Sequence, residues 1–152
     1  MRQPIARLDS FDHAILQELA GDGRISATEL ARRIGLSKSP TQARLKRLEE
    51  TGVITGYRAQ IDPAQIGLAH VAFVEVRLSD TREAALQAFN RAARAVPEIE
   101  ACHMIASQFD YLLKVRTKDM QDYRRVLAEA ISALPHVAAT STYVAMEAVK
   151  EG

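Results

Sequence analysis

The segment "GLSKSPTQARLKRLEETGVI" at residues 35–54 decides how this chain reads, because it gathers Lys38, Arg44, Lys46 and Arg47 around one short helix in a chain of formal net charge +1. Ser39 followed by Pro40 predicts the helix start: a capping hydroxyl, then a ring whose missing N–H costs nothing at the first helical position. The pattern carries the helix to about Glu50, and Gly52 closes it. Thr41, Leu45 and Leu48 stand at i, i+4 and i+7 and face inward, which leaves Ser39, Gln42, Ala43, Lys46 and Arg47 on the outer surface.

Upstream, Ser26 and Glu29 have the spacing of a capping box ahead of the apolar positions Leu30, Ala31 and Ile34, and Gly35 ends that helix. From Asp9, a candidate N-cap, Phe11, Ile15, Leu16 and Leu19 recur at helical spacing and stop before the Gly-Asp-Gly at 21–23. A helix, a turn of about four residues containing Gly, and a second helix is the layout of a helix-turn-helix. Downstream, "VITGYRAQID" (53–62) predicts a short strand pair with Gly56 at its turn, the wing of a winged domain. Tyr57 and Arg58 are then placed to touch a nucleic-acid backbone there, with a packed Tyr57 as the competing reading.

A helix that enters a major groove needs small or amide side chains near its N-terminus for base edges and cations along its flanks for phosphates. Gln42 is suited to an amide contact with adenine, Arg47 to guanine or a phosphate, and Lys38, Arg44 and Lys46 to phosphates. The competing reading is a solvated helix face, since Lys and Arg crowd many surface helices. Charge is uneven in the direction the groove reading needs: residues 1–60 hold 10 Lys and Arg against 7 Asp and Glu, and residues 61–152 hold 10 against 12.

The remaining composition bounds the answer. At 152 residues, 47% hydrophobic and 26% charged, the chain has room for one domain or two small ones, with an aliphatic core because aromatics are 5% and Trp is absent. One cysteine, Cys102, excludes an internal disulfide framework and reads as a small buried strand residue in a reducing compartment. The charged N-terminus does not resemble a signal peptide, and no apolar run approaches a membrane span of roughly 20 residues, so a cytoplasmic location is expected.

Beyond a linker at 61–69 marked by Pro63 and Gly67, the pattern predicts strand 70–78, helix 81–96 stopped by Pro97, strands 101–107 and 109–117, helix 119–134 stopped by Pro135, and strand 138–149. That βαββαβ order is the split, ferredoxin-like arrangement, with both helices on one face of a four-stranded antiparallel sheet. Leu86, Phe89, Ala93 and Val96, and Met120, Tyr123, Leu127, Ile131 and Leu134, are the stripes that would cover the face. In strand 70–78 both alternating sets begin apolar, Val71 and Phe73 on one side and Ala72, Val74, Val76 and Leu78 on the other. The uncovered sheet face therefore predicts a dimer through this domain.

No phosphate-cradling Gly loop, metal-ligand spacing or nucleophile elbow is present. His13, His70, His103 and His136 are scattered and read as structural or surface residues. Asp110, Lys114 and Arg116 share a strand face, but no nucleophile with a base can be argued from spacing. Neither an enzyme nor a metal site is expected.

The run from Leu8 to Leu68, with LS-x-x-P-x-x-x-R-L-x-R-L-E-x-x-G-V-I at its centre, resembles the N-terminal half of the Lrp/AsnC (leucine-responsive/asparagine) family of transcription regulators. "FDYLLKV" (109–115) resembles that family's Asp-Tyr-Leu-Leu strand. The resemblance implies an α+β chain: a winged helix-turn-helix over 1–60 and, after the linker, a ferredoxin-like effector-binding and oligomerisation domain over 70–152. Its partners would be double-stranded DNA, contacted through Lys38, Ser39, Thr41, Gln42, Ala43, Arg44, Lys46 and Arg47, and further copies of the chain, as dimers assembling to tetramers or octamers. It implies no cofactor but an amino-acid effector bound where dimers meet, here at Met104, Ile105, Ala106, Ser107, Gln108 and Asp110 with Thr140 and Thr142 nearby. Members often carry Gly where Ser107 stands, and a Cβ there narrows the pocket or removes a backbone conformation that only Gly tolerates. "CHMIASQFDYLLKVRTKDM" and "LPHVAATSTYVAMEAVK" further resemble the subgroup that activates proline breakdown, which suggests proline as effector. The alternative is an architectural DNA-binding protein, ligand-dependent or constitutive, with little sequence preference.

Overall fold

A computed structural model of the chain describes residues 7–151. Residues 1–6 and 152, counted with the two domains from sequence, lie outside the described residues. The chain divides into two compact units with the boundary between Gln60 and Ile61.

The first unit is three helices, α1 (Ser10–Gly21), α2 (Ala27–Ile34) and α3 (Lys38–Glu50). Their apolar faces meet at Ile15, Leu30 and Leu48, with Leu8, Leu16, Leu19, Ile25, Ile34, Leu45, Val53 and Ile54 packed around them. Asp9 caps α1 reciprocally: its side chain accepts from the Asp12 N–H at 2.9 Å, and the Asp12 carboxylate accepts from the Asp9 N–H at 3.1 Å. At α2 only half of the expected capping box forms. Glu29 N–H donates to Ser26 Oγ at 3.1 Å, but the Glu29 carboxylate turns forward to Arg32 and Arg33, where three charge-assisted bonds of 2.7–2.9 Å outweigh one bond to a backbone amide. Gly35 ends α2 at φ 74°, a left-handed position that an L side chain adopts only with strain.

Helix α3 starts two residues earlier than Ser39 and Pro40 predict. Its N-cap is Ser37, without a side-chain cap bond, and Pro40 occupies the third helical position. The first amides of a helix lack intrahelical partners, so proline is tolerated throughout this turn and does not mark its first residue. The first backbone bond of the helix, Thr41 N–H to Ser37 O, follows directly. The strand pair expected at 53–62 does not form. Ile54 N–H instead donates to Leu48 O, and Val53 and Ile54 fold back onto the three-helix core.

The second unit begins with a 3-10 turn at Pro63–Ile66 and continues as β1 (His70–Leu78), α4 (Glu83–Arg94), β2 (Ile99–Met104), β3 (Tyr111–Thr117), α5 (Met120–Val126) with a π-helical extension Leu127–Ile131, and β4 (Val137–Val144). The sheet order is β2-β3-β1-β4, antiparallel throughout, which is the ferredoxin-like arrangement. Ala72, Val74, Val76 and Leu78 of β1, Leu113 and Val115 of β3, Phe89 and Ala93 of α4 and Tyr123 and Val126 of α5 form the buried layer.

Most element ends shift by one to three residues from the sequence expectation, and three differences have a clear physical cause. β2 ends at Met104 because the next amide, Ile105 N–H, turns to Asp110 O and closes the hairpin. β4 ends at Val144 rather than 149 because its partner runs out: Val144 pairs with Ala72, Ala145 N–H takes Val71 O, and β1 starts at His70. Met120, placed in the apolar stripe, is 54% exposed at the first position of α5 and rims a cleft instead.

Candidate DNA interface and effector loop

Ser39, Gln42, Ala43, Lys46 and Arg47, the outer surface expected from the helical spacing, are exposed on α3, as are Lys38 and Pro40 in its first turn and Glu49 and Glu50 at its end. Thr41 is a correction: it is fully buried, and its hydroxyl donates to Ser37 O at 2.9 Å, so it braces the first turn and offers nothing to a ligand. Among the described residues Lys46 pairs with Glu50 at 3.7 Å, an exposed pair that holds it weakly.

Arg44 and Arg47 are placed differently from free phosphate cations. Arg44 Nη1 donates to both Asp9 oxygens at 2.7 and 2.8 Å and to Asp12 Oδ1 at 3.0 Å, and its guanidinium lies 5.3 Å from the centre of the Phe11 ring. Arg47 Nη2 donates to Asp12 Oδ2 at 2.5 Å. Burial alone would raise the Asp12 carboxyl, but the bonds from Arg47, the Asp9 amide and Arg44 bring it down to about 2. Sequence reading took Asp9 as a cap and gave Asp12 no role. The signal was present as two aspartates spaced i, i+3 opposite two arginines spaced i, i+3. Their pairing spans 32–35 residues of sequence, so local pattern does not reveal it. Tyr57 is half exposed at the end of α3: its hydroxyl donates to Glu49 at 2.7 Å, and partial burial together with that carboxylate raises it to about 12.

In the second unit the loop Ile105–Asp110 joins β2 to β3. Asp110 anchors it: the Asp110 N–H donates to Val76 O at 2.9 Å, and its Oδ2 accepts from the Leu78 N–H at 2.7 Å. Arg77 reaches Gln108 O at 3.2 Å. Thr140 pairs with Val76 from the other side of β1, so Asp110 and Thr140 flank the same residue of β1 without meeting. Thr142 is turned toward α5, where its hydroxyl and that of Tyr123 hydrogen bond.

Met104 and Thr142, among the predicted effector residues, line different clefts. Met104 lines a cleft of about 390 Å³ on the β2 side with Asn90, Arg94, Cys102 and Tyr111. Thr142 lines another of about 560 Å³ on the β4 side with Met120, Gln121, Arg124 and Leu127. Cys102 is half-buried against the core, and burial raises its thiol. On the sheet face away from the helices, Phe73 is 38% and its neighbour Tyr143 55% exposed. Toward the end of that face Arg116 bonds Glu100 at 2.7 Å and Glu151 at 3.2 Å, and Lys114 joins both carboxylates.

Known proteins match both units. The winged helix-turn-helix DNA-binding model matches residues 8–55, and the Lrp/AsnC ligand binding domain model matches residues 71–152. The chain is 59% identical over 144 residues to the proline dehydrogenase transcriptional activator of Rhodobacter capsulatus, covering 95% of this chain and 94% of that protein. It is 43% identical over 150 residues to the leucine-responsive regulatory protein of Escherichia coli K12, covering 99% and 92%. Among solved structures, a transcriptional regulator of Neisseria meningitidis in complex with L-Met superposes with a TM-score of 0.89 at 30% identity, covering 95% and 94%. Two domains in this order, matched over almost the whole chain, carry one conclusion: the chain belongs to the Lrp/AsnC family and is a DNA-binding transcriptional regulator, not an enzyme.

Proposed function

We propose that this chain is a cytoplasmic, sequence-specific regulator that reads bases with α3 and responds to an amino acid, with proline as the first candidate. The observation that carries the DNA half is the exposed face of α3, where Ser39, Gln42 and Ala43 lie beside Lys38, Lys46 and Arg47. Small and amide groups suit base edges, and the two lysines suit phosphates. Proline is favoured by the names of two relatives, the proline dehydrogenase transcriptional activators of Rhodobacter capsulatus and Rhizobium radiobacter, at 59% and 58% identity.

The assembly reading rests on the half-exposed Phe73 and Tyr143, which form an apolar patch on the uncovered sheet face and favour a homodimer. Dimers then associate to tetramers or octamers. The effector binds where dimers meet, at the loop of Met104, Ile105, Ala106, Ser107, Gln108 and Asp110, with Thr140 on the same level of the sheet. Because Asp110 Oδ2 is committed to Leu78 N–H, its Oδ1 is the atom left to receive the ammonium, and loop amides with the Ser107 hydroxyl receive the carboxylate. Thr142, bonded to Tyr123, has the weakest claim. An effector at such a contact favours one oligomer over another and so changes which half-sites are engaged together.

The test is binding of the full chain to its own upstream DNA and to random DNA at fixed salt, with and without each amino acid. A clear preference for the upstream DNA, altered by one amino acid, supports the proposal. An operator-to-random ratio near one overturns the sequence-specific part and indicates architectural binding. Gln42→Ala is expected to cost about 1–3 kcal/mol on the upstream DNA and little on random DNA. Equal losses on both would mark Gln42 as a backbone contact.

A further inference from the structure

Asp12 has a side chain 1% exposed and carries a full charge, yet it lies one helix away from the proposed DNA surface. Burying a carboxylate is costly unless every oxygen is satisfied, and here every oxygen is. Oδ1 receives Arg44 at 3.0 Å, while Oδ2 receives Arg47 at 2.5 Å and the Asp9 amide at 3.1 Å. Arg44 is fixed further by both oxygens of Asp9 and by the Phe11 ring, and only 27% of its side chain is exposed. Among the described residues Arg47 is anchored through Nη2, and it remains 49% exposed.

Two physical consequences follow. An arginine held by one fork of its guanidinium has lost most of its rotamer freedom before any ligand arrives, so its remaining N–H groups point in a set direction. The two carboxylates also balance the two guanidiniums, and a neutral cluster releases few counterions from a phosphate backbone. Both effects work against indiscriminate binding. The first favours a correctly placed acceptor, and the second withholds affinity from arbitrary DNA.

We infer that Asp12 is a specificity-determining positioning residue: from helix α1 it orients Arg47, and with Asp9 restrains Arg44, so that these arginines act as aimed hydrogen-bond donors and not as free cations for phosphate. The inference rests on the reading that α3 contacts DNA. It goes beyond that reading in assigning the discrimination to a buried carboxylate that touches no nucleotide.

The experiment compares wild type, Asp12→Asn, Arg47→Ala and the double variant Asp12→Asn/Arg47→Ala, as full chains, on upstream and random DNA across a salt series. For Asp12→Asn, random-DNA affinity rises, the salt dependence steepens by about one unit because one local negative charge is gone, and the upstream-to-random ratio falls about tenfold. In the double variant the loss of ratio is smaller than the sum of the two single losses, since Asp12 acts in part through that arginine. Equal loss on both DNAs, or losses that add in the double variant, would mark Asp12 as a general structural support and overturn the inference. Should Asp12→Asn fail to fold, Arg47→Lys keeps the charge and loses the fork. A fallen ratio with an unchanged salt slope then supports the inference, and an unchanged ratio overturns it. Wild type without preference for the upstream DNA would overturn the underlying reading and this inference with it, whereas wild-type preference with an unchanged Asp12→Asn ratio overturns the inference alone.

Discussion

The core of the first unit contains three buried aliphatic side chains, Ile15, Leu30 and Leu48, whereas that of the second contains thirteen buried residues, among them Phe89, Tyr111 and Tyr123. The smaller core is supplemented by polar devices: a reciprocal cap at Asp9 and a buried carboxylate shared by Arg44 and Arg47. A domain near 60 residues buries too little apolar surface for comfort, so each cap and each fully bonded charge counts for a larger share of its stability. The second unit holds a continuous sheet; Arg116 and Lys114 pair with Glu100 and Glu151 on its face with their cations mostly covered, whereas Asp80 with Arg82 and Arg125 with Asp122 are surface pairs. Such exposed pairs contribute little.

The largest effects should come from the cores, and they should be unequal in reach. Phe89→Ala removes a fully buried ring packed 4.2 Å from Tyr111, at a cost of about 3–5 kcal/mol. Leu48→Ala removes a side chain 1% exposed at a cost of about 2–5 kcal/mol. Hydrogen exchange separates them by unit: Leu48→Ala should abolish protection throughout α1–α3, and Phe89→Ala should weaken the sheet while leaving part of its protection. Survival of helix protection in Leu48→Ala would break the contrast drawn between the two units.

Acid is the next lever. Asp12 is held at about 2 in the folded chain against 3.8 for a free aspartate. Between those values the unfolded chain binds the additional proton, so the contribution of Asp12 is fully present above about 3.8 and is lost as pH falls through 2. Thermal unfolding followed by helix-specific exchange should show the first unit weakening over that window, and Asp12→Asn should flatten its share of the slope. A slope unchanged by the substitution would assign the acid sensitivity to Glu29, which its bonds to Arg32 and Arg33 also hold at about 2.

How much of this was legible in the sequence depends on whether the determining contact is local. Strand β1 is found at its expected bounds, 70–78, because an alternation running through nine residues leaves no other register in which Ala72, Val74, Val76 and Leu78 all face inward. The outer face of α3 was readable for the same reason, from helical spacing alone. The ends of β2 and β4 were not, since they are set by Asp110 O and by the point at which β1 runs out, facts of pairing and not of residue type. The clamp of Asp12 on Arg44 and Arg47 belongs to the same class. Asp9 is sufficiently explained as a cap, and Asp12 gives no local signal until the third helix is laid beside them.

The smallest effect tests the caps themselves, and it turns on two serines that sequence alone treats as equals. Ser26 caps α2, since its Oγ accepts from Glu29 N–H, whereas Ser37 occupies the N-cap of α3 with no side-chain bond to the helix. The first turn of α3 is instead closed by the Thr41 hydroxyl on Ser37 O, which needs only the backbone of residue 37. Ser26→Ala should therefore cost about 1 kcal/mol, within the usual range for a lost N-cap. Ser37→Ala should fall within the few tenths expected of an exposed position. Ser39, predicted as the cap, lies inside the helix, so Ser39→Ala should not lower thermal stability and should act, if α3 enters a groove, on DNA affinity alone. A stability loss in Ser39→Ala comparable to that in Ser26→Ala would mean that α3 begins where the Ser-Pro signal first placed it, and the orientation of every side chain from Lys38 to Arg47 would have to be drawn again.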